Sequence, residues 1–528
     1  MKKLLLAILC IVIICSFTAC SNKKEEKSNH KSAELSYELS EDGTSYSVTG
    51  IKSFGAYEEI IIPATYEGLP VTKIGDGAFC QLGNIKTVMI PNSVTSIGSY
   101  AFSECHSLTN VNIPDSVTSI GNYAFYLCES LGNITIPDGV TSIGDYTFAR
   151  SGLVSITLSD NLTSIGKFAF ECCYNLKSID IPNGVTIIDK SAFEWCSSLK
   201  SATIPNTVTS IGYAAFYESG LESIIIPDSV TSIGNSAFSS CSLLKNVTLS
   251  NSITSISPLA FYFCQNLTSV TIPDGVTSIG EKAFAACYSM ESVTIPESVT
   301  SIGDEAFSSC SALTSIVIPR GVKSIGNELF ADCESLTNIT LHNGVTSIGY
   351  QAFKGCTSLT SIDLPNSIRS IDDKAFWGCS GLTEITIPNG MKSIGNYSFV
   401  SCTRLTSITL PDSLTIIGDY AFYHCTSITG ITIPDGVLII GSFAFQDCTN
   451  LTSITLSDSV TDICEGAFDK CAKLTSVYYN GTSKEWDNTY VYTNNGNLTA
   501  AMLYYYSETE PIEEGNFWHY VDGVAVAW

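Results

Sequence analysis

The chain has 528 residues, of which 45% are hydrophobic and 10% aromatic, and this apolar content argues against a disordered polymer. Only 15% of the residues are charged, and 51 Asp and Glu against 26 Lys and Arg give a formal net charge of -25. The acidity argues against nucleic acid as a partner and against electrostatic docking on anionic lipid, because both contacts draw on clustered cations.

Residues 1–19 have the pattern of a lipoprotein signal peptide. Two lysines precede an apolar run over residues 4–14, which is too short to span a bilayer as a helix. Residues 17–20 (Phe-Thr-Ala-Cys) resemble the bacterial lipobox. The resemblance implies export, cleavage before Cys20 and a lipid on its sulfur, so that the protein contacts the bacterial cell membrane through this anchor and faces outside. The alternative is a plain secretory signal with a chance cysteine.

A tether and an N-terminal cap are predicted next. Residues 20–34 are charged and, after Cys20, contain no large apolar side chain, which predicts a flexible tether. Residues 35–75 are predicted to form an N-terminal cap and a first imperfect coil. Within them, residues 37–50 predict a β-hairpin around Asp42-Gly43, and residues 60–63 open the imperfect coil.

A 23-residue repeat explains residues 76–478. A phenylalanine marks the repeat 18 times; 15 of the 17 intervals are 23 residues long and two are 22. The marks are Phe79, Phe102, Phe125, Phe148, Phe170, Phe193, Phe216, Phe238, Phe261, Phe284, Phe307, Phe330, Phe353, Phe376, Phe399, Phe422, Phe445 and Phe468. Such a period is typical of a solenoid, in which each coil is stable only against its neighbours.

Eight positions of each unit are apolar and are predicted to be buried. In residues 93–115 they are Leu108, Val111 and Ile113 in a short strand, Val94 and Ile97 in a second extended segment, and Ala101, Phe102 and Cys105 in one helical turn. Fifteen of the 21 cysteines share the last of these positions. They are interpreted as buried free thiols, with stacked disulfides and a metal site as alternatives. The two 22-residue units lack this cysteine, which suggests that it lies in the corner tightened by the deletion.

One unit carries a family resemblance. Residues 267–280 (LTSVTIPDGVTSIG), followed by Ala283, Phe284 and Cys287, resemble the repeat of the BspA-like leucine-rich repeat (LRR_5) family. The resemblance extends over about residues 45–480. It implies an α/β solenoid, a right-handed array of about 18 coils capped at both ends, and a non-enzymatic interaction role at the cell surface.

Residues 479–528 are predicted to be a C-terminal cap and aromatic tail. Asn480-Gly481 indicates a hairpin turn, and Trp486 is placed to cover the last coil. The tail from Met502 is rich in Tyr and Trp, which predicts packed strands around an acidic loop at residues 508–514.

No catalytic motif stands out. The five histidines are scattered, and neither HExxH, GxSxG nor a phosphate loop is present in the sequence. We therefore expect no enzyme, no cofactor and no metal, and a protein or glycoprotein ligand on host or other cells. The alternatives are a module for surface polysaccharide, bound on the aromatic side, and an enzyme with its site in the C-terminal tail.

Two surfaces are candidates for binding, and the sequence does not decide between them. Outward strand positions form columns of hydroxyl and amide groups, as at Ser269 and Thr271, which also suit a solvated sheet. Variable positions beside the predicted helical turn carry aromatic residues, which favour binding hot spots but also suit shielding of the next coil. These residues are Tyr100, Tyr123, Tyr126, Tyr146, Trp195, Tyr217, Tyr262, Trp377, Tyr397, Tyr420 and Tyr423.

Overall fold

The computed structural model describes residues 33–53, 55–512 and 514–528. The predicted signal peptide, the predicted lipid anchor at Cys20 and nearly all of the predicted tether lie outside these described residues. Over the described ranges, no helix combines the length and the apolar character needed to cross a bilayer.

The described chain is a β-solenoid in which each coil contributes a long strand, a short strand and a turn segment. Equivalent strands of successive coils pair in parallel, as Ser269 does with Ser292 in the long strands and Ser278 with Ser301 in the short strands. The assigned pairing divides both ladders into several parallel sheets. The backbone ladders thus hold each coil in register with the next.

The long strands mostly contain three residues and occur once per coil, except in the coil whose equivalent residues 361–363 form no strand but are counted with this position below. They are Glu59–Ile61, Thr87–Met89, Asn110–Asn112, Asn133–Thr135, Ser155–Thr157, Ser178–Asp180, Ser201–Thr203, Ser223–Ile225, Asn246–Thr248, Ser269–Thr271, Ser292–Thr294, Ser315–Val317, Asn338–Thr340, Glu384–Thr386, Ser407–Thr409, Gly430–Thr432, Ser453–Leu456, Ser476–Tyr479 and Met502–Tyr506.

The short strands follow the corner after each long strand and mostly contain two residues. They are Leu69–Ile74, Ser96–Ile97, Ser119–Ile120, Ser142–Ile143, Ser164–Ile165, Ile187–Ile188, Ser210–Ile211, Ser232–Ile233, Ser255–Ile256, Ser278–Ile279, Ser301–Ile302, Ser324–Ile325, Ser347–Ile348, Ser370–Ile371, Ser393–Ile394, Ile416–Ile417, Ile439–Ile440, Asp462–Ile463 and Tyr490–Val491. The remaining elements are the strands Leu35–Leu39, Tyr46–Ile51, Thr65–Tyr66, Phe517–Val521 and Val524–Ala527 and the helices Ser483–Trp486 and Gly496–Ala500.

The core is a set of columns that run through the coils. All eight apolar positions predicted from residues 93–115 are buried. The repeat phenylalanines stack on one another, with ring centroids 5.2–6.0 Å apart in the 17 consecutive pairs. Each ring therefore gains its apolar contacts from the neighbouring coils, which makes stability collective.

The predicted helical turn does not form, so the helical part of the predicted α/β class is not supported. In the described repeats this segment is a series of turns with two left-handed residues, such as Tyr100 (φ 58°) and Glu104 (φ 60°). The amides of Tyr100, Phe102 and Glu104 donate to carbonyls of the next coil at 2.7–2.9 Å. A helix would use these amides within itself, and the turn segment instead forms a third ladder between coils.

The cysteine column consists of buried free thiols, as predicted. Each Sγ donates to the carbonyl of the repeat phenylalanine in the preceding coil at 3.1–3.4 Å, as Cys105 does to Phe79. The column contains Cys105, Cys128, Cys173, Cys196, Cys241, Cys264, Cys287, Cys310, Cys333, Cys356, Cys379, Cys402, Cys425, Cys448 and Cys471. Within the described part of the chain, no group of three or more His, Cys, Asp or Glu is arranged to hold a metal ion.

The two short coils keep the thiol position but fill it with serine. Ser151 and Ser219 are buried, and their hydroxyls contact the Sγ atoms of Cys173 and Cys241 at 3.4 and 3.2 Å. The deletion falls on the next residue, where a Cβ on Gly152 would lie 2.0 Å from the Glu129 carbonyl oxygen. The tightened corner is thus beside the cysteine position, and it requires glycine.

Both ends of the array differ from the repeat. The predicted N-terminal hairpin forms: Leu35–Leu39 pairs antiparallel with Tyr46–Ile51, which continues the short-strand ladder by pairing with Leu69–Ile74. The predicted hairpin at Asn480-Gly481 is wrong, because Ser476–Tyr479 pairs in parallel with both of its neighbours. The chain enters the helix Ser483–Trp486 instead.

A capping box explains the helix that replaces this hairpin. The Thr482 hydroxyl accepts from the Glu485 amide, and the Glu485 carboxylate accepts from the Thr482 amide at 2.8 Å. Trp486 is half-buried, and its ring meets Tyr479 edge-on with centroids 5.1 Å apart. The aromatic tail after residue 502 forms strands around a loop, as predicted.

Glycine at a left-handed position should stabilise the fold. Ser309 has φ 59°, whereas Gly355 and Gly378 already occupy the equivalent position in later coils. Ser309→Gly and the matched control Ser335→Gly, which is outside the left-handed region, gain the same unfolded-state entropy. We expect Ser309→Gly to be the more stable variant by about 1–2 kcal/mol. Urea unfolding measures the difference, and equal midpoints would contradict this account of the turn segment.

The thiol column should make stability fall at alkaline pH. Burial raises the pKa of Cys105, Cys241, Cys287, Cys379 and Cys471 from 9.0 to about 12. Stability from this source is complete below pH 9 and is lost as pH rises from 9 towards 12, because the unfolded chain releases these protons first. The urea concentration at the unfolding midpoint should therefore be lower at pH 10.5 than at pH 8.

A serine variant separates this effect from other alkaline titrations. Cys264, Cys287 and Cys310 changed together to serine, which occupies this position in the short coils, should lose less stability over the same pH interval than the unmodified chain. Equal losses would show that Tyr and Lys, not the thiols, control the alkaline transition.

Candidate functional site

The first candidate surface is the strand face, defined as the outward side chains of the long strands. Between residues 59 and 504 these positions carry mainly Ser, Thr and Asn. Their charged members are four acids and no base: Glu59, Asp180, Asp363 and Glu384. A nearly uncharged, hydroxyl-rich surface therefore extends along the coils.

Apolar side chains interrupt the hydroxyl columns of the strand face. Ile225 is 70% exposed and Val317 is 61% exposed. Ile61 and Met89 are exposed partners in adjacent strands and form an apolar pair at the N-terminal end of the face. These four side chains are the exceptions to polarity on this face between residues 59 and 455.

The second candidate surface is the turn side, defined as the exposed residues of the turn segments. Three predicted residues, Tyr100, Tyr123 and Tyr146, stack with centroids 4.6 and 4.7 Å apart, and Phe168 extends the stack at 4.6 Å. Burial, followed by the neighbouring tyrosines and acids, raises the pKa of the Tyr123 and Tyr146 hydroxyls. Because Tyr123 and Tyr146 are each stacked on both sides, they present ring edges rather than free ring faces.

A second stack repeats this arrangement in later coils. Tyr397 and Tyr420 lie 4.8 Å apart, and Phe443 continues the stack at 4.9 Å. The Lys374 ammonium lies 5.7 Å from the Tyr397 centroid and 5.4 Å from the Trp377 centroid. Phe168 and Phe443 were missed by the sequence analysis, although their position two residues after the corner glycine matches that of the tyrosines.

The remaining predicted aromatics are dispersed along the turn side. Tyr126 and Tyr423 meet the stacks edge-on, at 5.6 Å from Tyr123 and 5.8 Å from Tyr420. The rings of Trp195 and Tyr217 form a separate edge-to-face pair, and Tyr262 lies 6.0 Å from Phe263. The predicted residues thus fall into two stacks and smaller contacts, not one continuous site.

A third feature is the C-terminal hairpin, defined as the strands Phe517–Val521 and Val524–Ala527, whose position against the strand face the sequence analysis did not predict. Trp518 is fully buried, and its indole N–H donates to the Tyr479 carbonyl at 2.8 Å. Its ring also packs against Tyr478 and meets Tyr506 edge-on, with centroids 5.7 and 5.2 Å away. This anchor holds the hairpin against the last coils.

The hairpin covers part of the strand face and forms a cleft with it. Thr455 is only 8% exposed, whereas the equivalent Thr432 and Thr409 of the two preceding coils are exposed. A cavity of about 600 Å³ lies between these coils and the hairpin residues 520 and 523–525. We call this cavity the C-terminal cleft.

The C-terminal cleft is lined by hydrogen-bonding groups and tyrosine rings. Its floor includes Ser407, Thr409 and Thr432, and Asp412 and Asp435 follow the floor strands. The described residues that line it include no Lys, Arg or His. Burial, with the Asp435 carboxylate as the next cause, raises the pKa of the Tyr520 hydroxyl. The arrangement offers acceptors, hydroxyls and ring surface for binding.

Comparisons with known proteins agree with the repeat architecture. Residues 72–200, 163–290, 277–402 and 369–499 match the family described as BspA type leucine rich repeat region. The chain is similar to a solved leucine-rich repeat protein from Bacteroides ovatus, with 27% identity, TM-score 0.45, and coverage of 87% of this chain and 98% of that chain. No curated protein gives a significant match.

Two further solved structures show lower structural similarity. A leucine rich cell surface protein from Faecalibacterium prausnitzii has 26% identity and TM-score 0.33, with coverage of 89% of this chain and 98% of that chain. The pneumococcal vaccine antigen PcpA has 17% identity and TM-score 0.32, with coverage of 90% and 92%.

Loss of the indole donor should loosen the C-terminal hairpin. Trp518→Phe leaves the Tyr479 carbonyl without this hydrogen bond, which costs about 1 kcal/mol. Amide exchange in residues 517–527 should accelerate by about fivefold, measured by hydrogen–deuterium exchange. The matched control is Trp528→Phe, since the Trp528 indole also donates to a carbonyl, that of Ser507, but is exposed. Similar exchange in both variants would disprove the anchor.

Proposed function

The chain belongs to the BspA type leucine-rich repeat family, and we propose that it is a non-enzymatic cell-surface scaffold that binds a protein or glycoprotein of a host or another cell. The strand face is the proposed binding surface. The observation that carries the proposal is the set of exposed apolar side chains, Ile61, Met89, Ile225 and Val317, within a face of hydroxyl groups.

Physical chemistry favours a protein ligand for this face. Each exposed apolar side chain gains free energy when a partner covers it, and the surrounding hydroxyls and amides can donate or accept hydrogen bonds. With four acids and no base on the face, electrostatic steering of an anionic ligand is not available. A neutral or basic protein surface fits this chemistry.

The turn side is less suited to the alternative function, binding of surface polysaccharide on aromatic faces. A ring binds a sugar through its face, and Tyr123 has rings stacked on both faces at 4.6 and 4.7 Å. Tyr420 is enclosed in the same way by Tyr397 and Phe443. The stacks are better explained as side-chain contacts between coils.

The proposed location at the cell surface rests on the export signal and lipobox-like residues 17–20. A lipid on Cys20 would join the array to the membrane through the tether of residues 20–34. In this arrangement the strand face is presented outside the cell, where ligands of other cells are accessible.

Substitution of each surface tests the proposal. A fragment of residues 33–528 is passed over a panel of immobilised extracellular matrix proteins, and affinities are measured by surface plasmon resonance. The combined change Ile61→Ser, Met89→Ser, Ile225→Ser and Val317→Ser should weaken binding by more than about tenfold, because partner contacts lose apolar area. Serine already occupies many outward positions, so the fold should be retained.

The matched control lies on the turn side. Tyr100→Ser and Tyr397→Ser together remove two exposed rings and should leave affinity unchanged. Loss of binding in this control, with retention in the strand-face variant, would assign the function to the turn side. No binding to any protein of the panel would count against a matrix ligand.

A further inference from the structure

We propose that the C-terminal cleft is a second binding site, one that takes a short segment of a neutral glycan. The proposal is independent of protein binding along the strand face. It rests on the shape of the cleft, the chemistry of its lining and one departure from the repeat at its floor. The cavity volume of about 600 Å³ lies within the range of ligand pockets, about 300–1,000 Å³.

The departure is Gly430 in the floor of the cleft. The first outward position of every other coil between residues 59 and 502 carries a side chain, most often Ser or Asn. The backbone does not require glycine here: Gly430 is outside the left-handed region, and a Cβ would meet Ser453 Oγ at 3.3 Å as its nearest neighbour. The missing side chain therefore deepens the floor directly in front of the hairpin.

The polar lining matches hydroxyl groups. Carboxylates of Asp412 and Asp435 accept hydrogen bonds from hydroxyl donors, and the hydroxyls of Ser407, Thr409 and Thr432 both donate and accept. A neutral sugar carries many hydroxyls and no charge, so it can pair with all of these groups. Phosphorylated, sulfated or uronic-acid ligands are disfavoured, because the described lining residues offer two carboxylates and no cation.

An anchored ring completes the site. Tyr520 is 45% exposed on the hairpin and lines the cavity, where its apolar face can cover the C–H groups of a sugar ring. Its position is fixed by Trp518, whose fully buried ring meets it edge-on at 4.8 Å. Unlike Tyr123 on the turn side, Tyr520 is not enclosed by a parallel stack.

A glycan suits the floor better than a peptide does. The backbone groups of Gly430–Thr432 pair in parallel with residues 453–455. Their other edge, towards Ser407–Thr409, has no strand pairing, but the same two coils pair directly through Ile416–Ile417 and Ile439–Ile440, which leaves no room for an inserted peptide strand. A peptide in the cleft would need partners for its own amides. A glycan needs partners for hydroxyls, which the floor supplies.

Glycan binding by the purified full chain tests the proposal. An array that carries neutral hexose oligosaccharides, sulfated glycans, uronic-acid glycans and basic peptides is probed, and affinities for bound neutral glycans are then measured by calorimetry. We expect binding to neutral glycans. Gly430→Ser, which restores the common residue, and Tyr520→Ala should each weaken that binding by about tenfold.

The control is the reciprocal change in the same column outside the cleft, Ser292→Gly, which should leave glycan affinity unchanged. The proposal is overturned if no neutral glycan binds, if peptides or anionic glycans bind instead, or if Gly430→Ser retains full affinity. The matrix-protein panel is run on the same samples. Protein binding without glycan binding rejects this site alone, whereas glycan binding without protein binding rejects the function proposed for the strand face.

Discussion

The structure depends on backbone hydrogen bonds between each coil and the next. At most coil boundaries, amides of the long strands, the short strands and the turn segments donate to carbonyls of a neighbouring coil, as Tyr100 does to Asn122 and Thr118 to Thr95. A 23-residue coil that stood alone would lose these bonds and expose its apolar columns, so it could not offset the cost of ordering its chain. The period is therefore constrained, and one residue can be deleted only where glycine lets two backbones approach, as at Gly152.

This same constraint explains the aromatic stacks on the turn side. Coils are separated by about one strand spacing, ~4.8 Å, which is also the separation of stacked rings. Rings at one position of successive coils must therefore lie face to face, as Tyr100 and Tyr123 do at 4.6 Å. The left-handed backbone at these positions is accepted because it directs alternate amides to the next coil. The aromatic pattern that suggested hot spots is thus largely a consequence of stacking.

The sequence predicts the repeated features well and the departures poorly, for physical reasons. The eight buried positions and the thiol column follow from periodicity, because one coil's pattern is repeated in the next. The helical turn could not be distinguished, since the spacing of Ala101, Phe102 and Cys105 suits both a helix and a left-handed turn. The Asn480-Gly481 signal was overridden by pairing of Ser476–Tyr479 with strands on both sides. The C-terminal cleft depends on Trp518 meeting Tyr479 across 39 residues, a contact that no local pattern contains.

In a repeat array, the residues that are required for stacking say little about a ligand. Departures from the repeat are therefore the better indication of a binding site. Gly430 is such a departure, because its neighbours in the column show that a side chain is compatible with the backbone there. The C-terminal hairpin is another, because closing the array would require only cover for the last coil, yet the hairpin also extends over the preceding coils at residues 407–435. From the strand at residue 59 to that at residue 430 there are 16 coil steps, or about 75 Å at one strand spacing per coil. A lipid anchor at the N-terminal end would therefore place the C-terminal cleft far along the array from the membrane, where a second ligand could be bound without hindering contacts along the strand face.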